Sequence, residues 1–332
     1  MRGFTNGDSS IHLCYHSDNF YRYKGYSYPY TEKTNEFWDI RSGTWANGGS
    51  DISQYGYMVN SNGGELGTKT EYANMGIYAR MKSVSPTSKT ATIMFRADIQ
   101  SPNNRYYIRN YNSLVNGHSV EIIKNIDSVE TILPNGTSSN PIFLDSGKMK
   151  EMTLIEDSNN IRLWINNIPV KWANGNYYLT DSSVTSGAFG IKNDTTSTTT
   201  KFYQTAFFES SVAKKGDLWG DFTLVDYNLS GDTKTSSIRI PGKIGGHIQT
   251  GSPDSRTLTI TGRLLSQFTD AKSFDELMFM FISNELPVFV HTPVIKISGV
   301  ITSYSPPKPR KGTKDAYYDF SFDMIENWFY EV

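Results

Sequence analysis

The C-terminal third of the sequence contains the pattern that most restricts how this chain can fold. A short, strongly apolar segment at 274–282 is preceded by Ser273 and contains Glu276, and this spacing is that of a capping box at a helix start. Strand-like runs flank the segment at 235–240, 256–263, 287–291, 294–303 and 315–325. The pattern predicts a single helix, near 273–283, set into a small β-barrel.

Length and composition favour two β domains. The chain has 332 residues, which is typical of two domains, and 14% of them are aromatic, which is enough to pack a β core. The formal net charge is −1, so the overall electrostatic field favours neither nucleic acid nor a membrane surface. Because Cys14 is the single cysteine, an intrachain disulfide is excluded.

Residues 20–210 alternate between apolar and polar side chains, with frequent breaks at Gly, Pro, Asn and Ser. This alternation, with turn formers such as Asn135-Gly136 and Asn174-Gly175, predicts an all-β sandwich without long helices. We therefore expect a jelly-roll sandwich over 1–213 and the barrel with its helix over 214–332.

The predicted helix is apolar on more than one side. One face has the spacing i, i+3, i+4 and i+7 and consists of Phe274, Leu277, Met278 and Phe281. Phe279 and Met280 lie on the other side. The helix is therefore either buried on most sides or in contact with a neighbouring subunit.

A basic, proline-rich loop precedes the last long strand-like run. Its cations are Lys308, Arg310, Lys311 and Lys314. Because charge runs usually face water, the loop is either a solvated hairpin tip or an arm that docks on an adjacent subunit. No aromatic residues interleave with the cations as a stacking platform for bases requires, so sequence-specific nucleic-acid binding is not expected.

Strand alternation also predicts what the outer face of the sandwich carries. If the runs at 77–81, 93–98 and 106–111 are neighbours, their outward side chains form one surface that contains Tyr78, Arg80, Arg96, Asp98, Tyr107, Arg109 and Tyr111. Aromatic rings stack on sugar rings, and guanidinium groups bind carboxylate or phosphate through two hydrogen bonds. This surface is a candidate site for a glycan, including an anionic one. The alternative is that these cross-strand pairs only stabilise the sheet.

No catalytic motif is found in the sequence. The paired carboxylates of glycosidases and the motifs of nucleotide-binding proteins and zinc proteases are absent, and the five histidines fall in no triad context. His12, Cys14 and His16 belong to an alternating run, which favours a strand over a metal site. We expect no enzyme activity, no metal and no cofactor.

The N-terminus is polar and has no apolar core of a signal peptide, and no apolar run is long enough to span a membrane as a helix. The sequence therefore predicts a protein made in a cytoplasm, without membrane insertion.

The runs at 18–20, 38–45, 161–168, 187–191 and 202–208 follow one another in a characteristic order. In this order the region from about 18 to 210 resembles the concanavalin-like jelly roll of laminin-G-like and related carbohydrate-binding modules. The resemblance implies a glycan-binding or outward-facing domain.

The runs at 238–240, 255–262, 287–290, 299–301 and 317–322, with the predicted helix, cover the region from about 221 to 326. This region resembles the tail-tube fold of distal-tail and baseplate ring proteins of tailed viruses. The resemblance implies a homo-oligomeric ring, usually sixfold, with other tail proteins as partners and the virion tail as location. Ring closure would also pair the open edges of each barrel. In similar tail adaptor proteins the ring domain usually comes first, whereas here the order is reversed.

Three functions remain open at this point. The first is a structural tail or baseplate protein whose sandwich serves host attachment, through a surface glycan, or assembly contacts. The second is a free carbohydrate-binding protein or a polysaccharide-active enzyme, and the third is a capsid decoration protein. Oligomeric state separates the first from the second, because obligate assemblies bury about 2,000 Å² or more at their contacts.

Overall fold

The structure is a computed structural model of the chain. It describes residues 9–18, 38–43, 45–52, 55–60, 63–84, 89–101, 104–115, 118–140, 142, 148–157, 159–193, 199–210, 219–230, 233–239, 246–253, 256–265, 271–309, 317–326 and 329–331. The chain divides into two compact units, one containing His12–Trp219 and the other Gly220–Trp328. The sequence predicts a boundary at 213/214, and the division of the structure falls after Trp219.

The first unit is built from two antiparallel sheets. In chain order its strands are β1 (Ser9–Asp18), β2 (Trp38–Ser42), β3 (Trp45–Ile52), β4 (Tyr55–Asn60), β5 (Gly64–Thr68), β6 (Met75–Val84), β7 (Lys89–Ala97), β8 (Arg105–Val115), β9 (His118–Ile126), β10 (Val129–Thr137), β11 (Met149–Asp157), β12 (Asn160–Ile165), β13 (Ile168–Pro169), β14 (Leu179–Thr180), β15 (Ala188–Asn193) and β16 (Thr199–Glu209). The first sheet has the order β13-β12-β11-β6-β16-β1, with β4 also pairing with β16 and β14 with β12. The second sheet has the order β10-β9-β8-β7-β15-β5-β2.

One apolar core lies between these sheets. On β6 the core residues are Ile77, Ala79 and Met81, and on β8 they are Tyr106 and Ile108. Both sets alternate with residues that point away from the core, as the pleat of a strand requires. The prediction of an all-β fold from this alternation is confirmed.

The second unit contains the one helix among the described residues. In chain order its elements are β17 (Trp219–Ser230), β18 (Thr233–Arg239), β19 (Gly246–Pro253), β20 (Thr257–Leu265), α1 (Ala271–Ser283), β21 (Pro287–His291), β22 (Lys296–Pro309) and β23 (Tyr317–Glu326). The strands β17, β20, β23, β22 and β21 pair in that order. β1, whose first residues up to Ile11 belong to this unit, pairs with both β17 and β21. The pairing therefore closes into a barrel, which is the architecture that the sequence predicts here.

The helix begins earlier than the capping box indicates. α1 starts at Ala271, so Ser273 lies within the first turn and is not the cap. Ala and Lys are strong helix formers, and Lys272 Nζ lies 3.7 Å from Glu276 Oε1, so Glu276 pairs along the helix. The face predicted to be buried is confirmed, and it consists of Phe274, Leu277, Met278 and Phe281. No helix in the described part of the chain is long and apolar enough to cross a membrane.

The structure describes three of the residues predicted to contact another subunit. Phe279 is 51% exposed, and its ring centroid lies 6.0 Å from that of Tyr304. Met280 is partly exposed, and Lys308 is exposed near the end of β22. The other three cations of the loop, Arg310, Lys311 and Lys314, lie outside the described residues. A contact with another subunit stays a prediction.

The last described strand, β24 (Phe329–Glu331), returns to the first unit. It pairs antiparallel with β1, with Tyr330 opposite Ser17. Among the described residues, the first unit therefore contains β24 in addition to His12–Trp219.

Candidate functional site

The structure divides the predicted glycan surface between two sheets. Tyr78 and Arg80 lie on β6, which pairs with β11 and β16 in the first sheet. The other candidates lie on or next to β7 and β8 of the second sheet, and they are Arg96, Asp98, Tyr107, Arg109 and Tyr111. The prediction of one surface from three neighbouring strands is therefore wrong. The reason is topological, because the chain crosses from one sheet to the other between β6 and β7.

Arg96 points into the unit instead of toward solvent. It is 1% exposed, and its Nε donates a hydrogen bond of 2.5 Å to Glu156 Oε1 on β11 of the opposite sheet. The register between β7 and β15 is irregular at this point, and Arg96 has a φ of 48°. Such a bulge breaks the alternation of side chains, so the prediction of an outward Arg96 is wrong.

Asp98 follows β7 and stabilises a turn. Its Oδ1 accepts hydrogen bonds from the main-chain N–H groups of Gln100, at 2.7 Å, and Ser101, at 3.0 Å. This arrangement is an Asx turn, in which an aspartate replaces a main-chain acceptor. The carboxylate is thus engaged by its own loop.

Tyr107 and Arg109 lie on the face of the second sheet that is turned away from the core. Tyr106 and Ile108 belong to the core, whereas Tyr107 belongs to a separate cluster outside it. The Tyr107 hydroxyl donates to Glu130 Oε1 at 2.5 Å, and Arg109 Nη2 donates to Glu130 Oε2 at 2.7 Å. The predicted outward direction of Tyr107 and Arg109 is confirmed.

Two cations flank the ring of Tyr107. Lys192 Nζ lies 5.1 Å and Arg109 Cζ 5.4 Å from the ring centroid, both within cation–π distance. Lys192 Nζ also lies 2.7 Å from Glu65 Oε1, and Arg105 Nε lies 2.8 Å from the same oxygen. The ring is therefore 0% exposed, and it does not offer a free face for stacking.

Tyr111 extends the same set of contacts. Its hydroxyl donates to Glu121 Oε2 at 2.7 Å, and Arg109 Nη1 lies 3.8 Å from that oxygen. We call the connected set the Tyr107 network, and its members are Glu65, Arg105, Tyr107, Arg109, Tyr111, Glu121, Glu130 and Lys192.

The pKa values of Arg109, Glu130 and Tyr111 are shifted in the directions that keep each group in its ordinary charge state at neutral pH. Burial is the largest influence on the pKa of Arg109 and acts to lower it, but the hydrogen bond to Glu130 and the charges of Glu130, Tyr107 and Tyr111 together raise the pKa. Burial acts to raise the pKa of Glu130, but the hydrogen bonds from Tyr107 and Arg109 outweigh it and the pKa is lowered. Burial and the hydrogen bond to Glu121 raise the pKa of Tyr111 to about 12.

The alternation along single strands did not indicate Lys192 or the three glutamates of the Tyr107 network as site residues. Glu121 lies directly opposite Arg109, and a pairing of the consecutive strands β8 and β9 could have indicated it. Glu65 and Lys192 are 127 positions apart, and only the fold brings β5 and β15 together.

No group of three or more His, Cys, Asp or Glu side chains suited to a metal ion occurs in the described part of the chain. The run at 11–16 is part of β1, as its alternation predicts. Burial lowers the pKa of His12 to about 3 and raises that of Cys14 to about 12. Cys14 is therefore a protonated thiol at neutral pH, whereas a metal ligand is a thiolate.

Comparison with known proteins gives weak structural matches. No protein-family model matches the sequence, and no curated protein matches it. The carbohydrate-binding module CBM66 from Bacillus subtilis is 15% identical, with 52% of this chain and 93% of that chain covered and a TM-score of 0.35. A galectin-like-fold protein of unknown function from Bacillus subtilis is 9% identical, with 59% and 96% covered and a TM-score of 0.38.

Domain 4 of AbnA, an extracellular arabinanase from Geobacillus stearothermophilus solved in complex with arabinotriose, is 12% identical. The match covers 60% of this chain and 95% of that chain, with a TM-score of 0.39. Identities and TM-scores of this size do not establish a shared function.

Proposed function

We propose that the first unit binds a saccharide without chemical conversion, through the Tyr107 network. One observation carries this function: a row of charged side chains of both signs, fixed to one another, lies on a sheet face turned away from the core. Glu65, Glu121 and Lys192 in this row are 3%, 4% and 7% exposed. Charged side chains are almost never buried to this degree unless they are paired, so the row is recessed and held in place.

The chemistry of the row suits a ligand that carries many hydroxyl groups. Ionised carboxylates only accept hydrogen bonds, and guanidinium and ammonium groups only donate them, whereas a hydroxyl does both. Neighbouring hydroxyls of a sugar can thus be bound by a carboxylate and a cation side by side, as at Glu130 and Arg109. Because pairing already orients these side chains, little conformational entropy is lost when a ligand binds.

Some buried polar atoms of this face offer a place for a ligand hydroxyl. Arg109 Nε and Asn125 Oδ1 have no hydrogen-bond partner among the described residues. Buried polar atoms of this kind are rare in native proteins, and a bound water or ligand hydroxyl is an ordinary way to satisfy them. One atom is a donor and the other an acceptor, and a hydroxyl group can bond to either kind.

The apolar side of a sugar ring has a place next to the row. Ile132 on β10 is 47% exposed and lies directly opposite Ile123, which clusters with Tyr107. The sequence predicts stacking on Tyr107 itself, but this is excluded because its side chain is buried and two cations lie against its ring. An aliphatic contact at Ile132 replaces it.

A glycan array followed by calorimetry with the best ligand tests this function. Glu130→Gln keeps the shape of the side chain and removes its charge, and Arg109→Ala removes the cation between Glu130 and Glu121. We expect each change to weaken binding by about tenfold or more, which corresponds to about 1.4 kcal/mol.

The matched control is Arg80→Ala on the first sheet, where Arg80 Nε lies 3.9 Å from Glu151 Oε1. It should leave the affinity unchanged. Full affinity in both network variants, with unchanged melting temperatures, would exclude this site. A wild-type protein that binds no glycan of a broad array would contradict the function itself.

A further inference from the structure

A second polar cluster lies inside the sandwich, where β7 and β11 end. The side chains of Arg96 and Glu156 form its centre and are 0% and 2% exposed. Arg96 Nη1 also donates to the main-chain oxygen of Asp181 at 2.8 Å. The Tyr106 hydroxyl donates to Asp181 Oδ2 at 2.7 Å, and Arg96 Cζ lies 5.4 Å from the centroid of its ring. The cluster thus links β11 of one sheet, β7 and β8 of the other, and the loop after β14.

The loop that carries Asp181 is attached at a further point. Ser183 donates to Asp181 Oδ1 through its hydroxyl and its main-chain N–H, at 2.5 and 2.9 Å. Lys124 Nζ on β9 donates to Ser183 Oγ at 2.7 Å. The position of residues 181–183 therefore depends on Arg96, Tyr106 and Lys124.

The central pair is incompletely satisfied. Glu156 Oε2 and Arg96 Nη2 are buried and have no hydrogen-bond partner among the described residues. An ionised carboxylate with one bare oxygen in such a place is costly, and a proton on that oxygen removes the buried negative charge. The bare Arg96 Nη2 remains available as a donor to another acceptor.

We infer that the Arg96–Glu156 pair is a proton-controlled latch on the loop at 181–186. When Glu156 is ionised, it holds the guanidinium of Arg96 toward β11. When Glu156 takes up a proton, Asp181 becomes the nearest carboxylate counterion of Arg96, and the loop is held more tightly against the sandwich end.

The pKa shifts of Glu156 and Asp181 support these roles, in which Glu156 takes up a proton and Asp181 remains a charged counterion. Burial raises the pKa of Glu156 to about 7, against the lowering effect of Arg96, and the charge of Asp181 raises it further. Burial acts to raise the pKa of Asp181, but hydrogen bonds from Ser183 and Tyr106 outweigh it and the pKa is lowered. Glu156 therefore takes up a proton near neutral pH while Asp181 keeps its charge, as in pairs whose surroundings separate their pKa values.

The other charged groups near Glu156 do not replace these partners. Lys124 is bonded to Ser183, and its Nζ lies 5.7 Å from the centroid of the Tyr106 ring. From β12, Arg162 Nη1 lies 3.9 Å from Asp157, which points to the opposite side of β11 from Glu156. The hydroxyl of Ser210 donates to the main-chain carbonyl of Glu156, not to its carboxyl group.

Hydrogen exchange of the full chain at about pH 6 and about pH 8, corrected for the intrinsic pH dependence of exchange, tests the latch without any ligand. In the wild type, exchange of residues 181–186 should be at least about threefold slower at the lower pH. Glu156→Gln imitates the protonated state and should show the slow exchange at both values. The control Glu151→Gln, on the same strand but partly exposed, should keep the wild-type response.

A second variant keeps the test decisive if Glu156→Gln folds poorly. Asp181→Asn removes the carboxylate that receives Arg96, so the loop should exchange fast at both pH values. If the exchange rate of residues 181–186 changes with pH to the same extent in the wild type, Glu156→Gln and Asp181→Asn, the latch is overturned. Because no saccharide is involved, this outcome is independent of whether the Tyr107 network binds a glycan.

Discussion

At the scale of single residues, Arg96 shows how one backbone angle changes the use of a side chain. Regular alternation would place it outside, on the sheet face that carries Tyr107 and Arg109. Its φ of 48° is uncommon for a residue with a side chain, and here it turns the guanidinium into the sandwich. Gly187, which directly precedes β15, allows the close approach of this backbone, because a Cβ added there would lie 2.4 Å from the carbonyl carbon of Arg96.

Replacement of Gly187 by alanine should therefore destabilise the first unit. A contact of 2.4 Å with main-chain atoms cannot be relieved by rotation of a side chain, so β7 or β15 must move. We expect a loss of about 2 kcal/mol or more in the free energy of unfolding, measured by urea denaturation.

Gly175→Ala is the matched control. Gly175 also has a positive φ, of 81°, but an added Cβ would meet nothing within 4 Å. The free energy of unfolding of Gly175→Ala should fall only by the cost of placing alanine in a left-handed conformation, about 1 kcal/mol. Equal losses in the two variants would show that close contact at Gly187 is not the cause.

At the scale of elements, the hairpins present the network side chains in register. The strands β9 and β10 bring Glu130 opposite Asn125 and Ile132 opposite Ile123. Their turn, Asp127-Ser128, has φ values of 51° and 67°, as the tight turns favoured in hairpins require. Serine at the second position is strained there, because it lacks both the freedom of glycine and the tolerance of asparagine.

Ser128→Gly should thus stabilise the protein. The free energy gained by relief of the left-handed backbone strain should exceed the free-energy cost of the more flexible unfolded chain. We expect the free energy of unfolding to rise by about 0.5 kcal/mol, which thermal unfolding can measure. Asn167→Gly in the turn between β12 and β13 serves as comparison, since Asn167 has a φ of 68° and asparagine already tolerates it. A larger gain at Asn167 than at Ser128 would contradict this explanation.

At the scale of the whole molecule, the two units pose separate questions. The barrel of the second unit closes through β1, so its six paired strands leave no open edge within that ring. Assembly into a ring of subunits is therefore not needed to pair open edges of this barrel. What remains of the tail-ring hypothesis is the barrel with one helix and the half-exposed Phe279.

We retain the homo-oligomeric ring, with sixfold symmetry favoured, as a proposal with a direct test. Mass photometry and negative-stain electron microscopy of the full-length protein should show closed rings if the chain is a tail or baseplate component. The variant Phe279→Ser should reduce assembly if the exposed side of α1 is a contact. A monomer at micromolar concentration would contradict a ring and favour a free carbohydrate-binding protein.

The sequence by itself determined the kind of element and the direction of most side chains. The period of two predicted a sandwich, and it placed Ile77, Ile108, Tyr107 and Arg109 on their correct sides. The spacing of apolar residues predicted the buried face of α1. These are local properties, because strand pleat and helix turn act over a few residues.

Only the tertiary structure decided which strands are neighbours and where alternation breaks. It separated Tyr78 and Arg80 from Tyr107, joined Glu65 to Lys192, and turned Arg96 toward Glu156. Strand order depends on how two sheets share one core, and the bulge at Arg96 depends on the close approach of Gly187. Neither is encoded in the spacing of residues along a single strand, so the paired network and the latch emerge only in the folded protein.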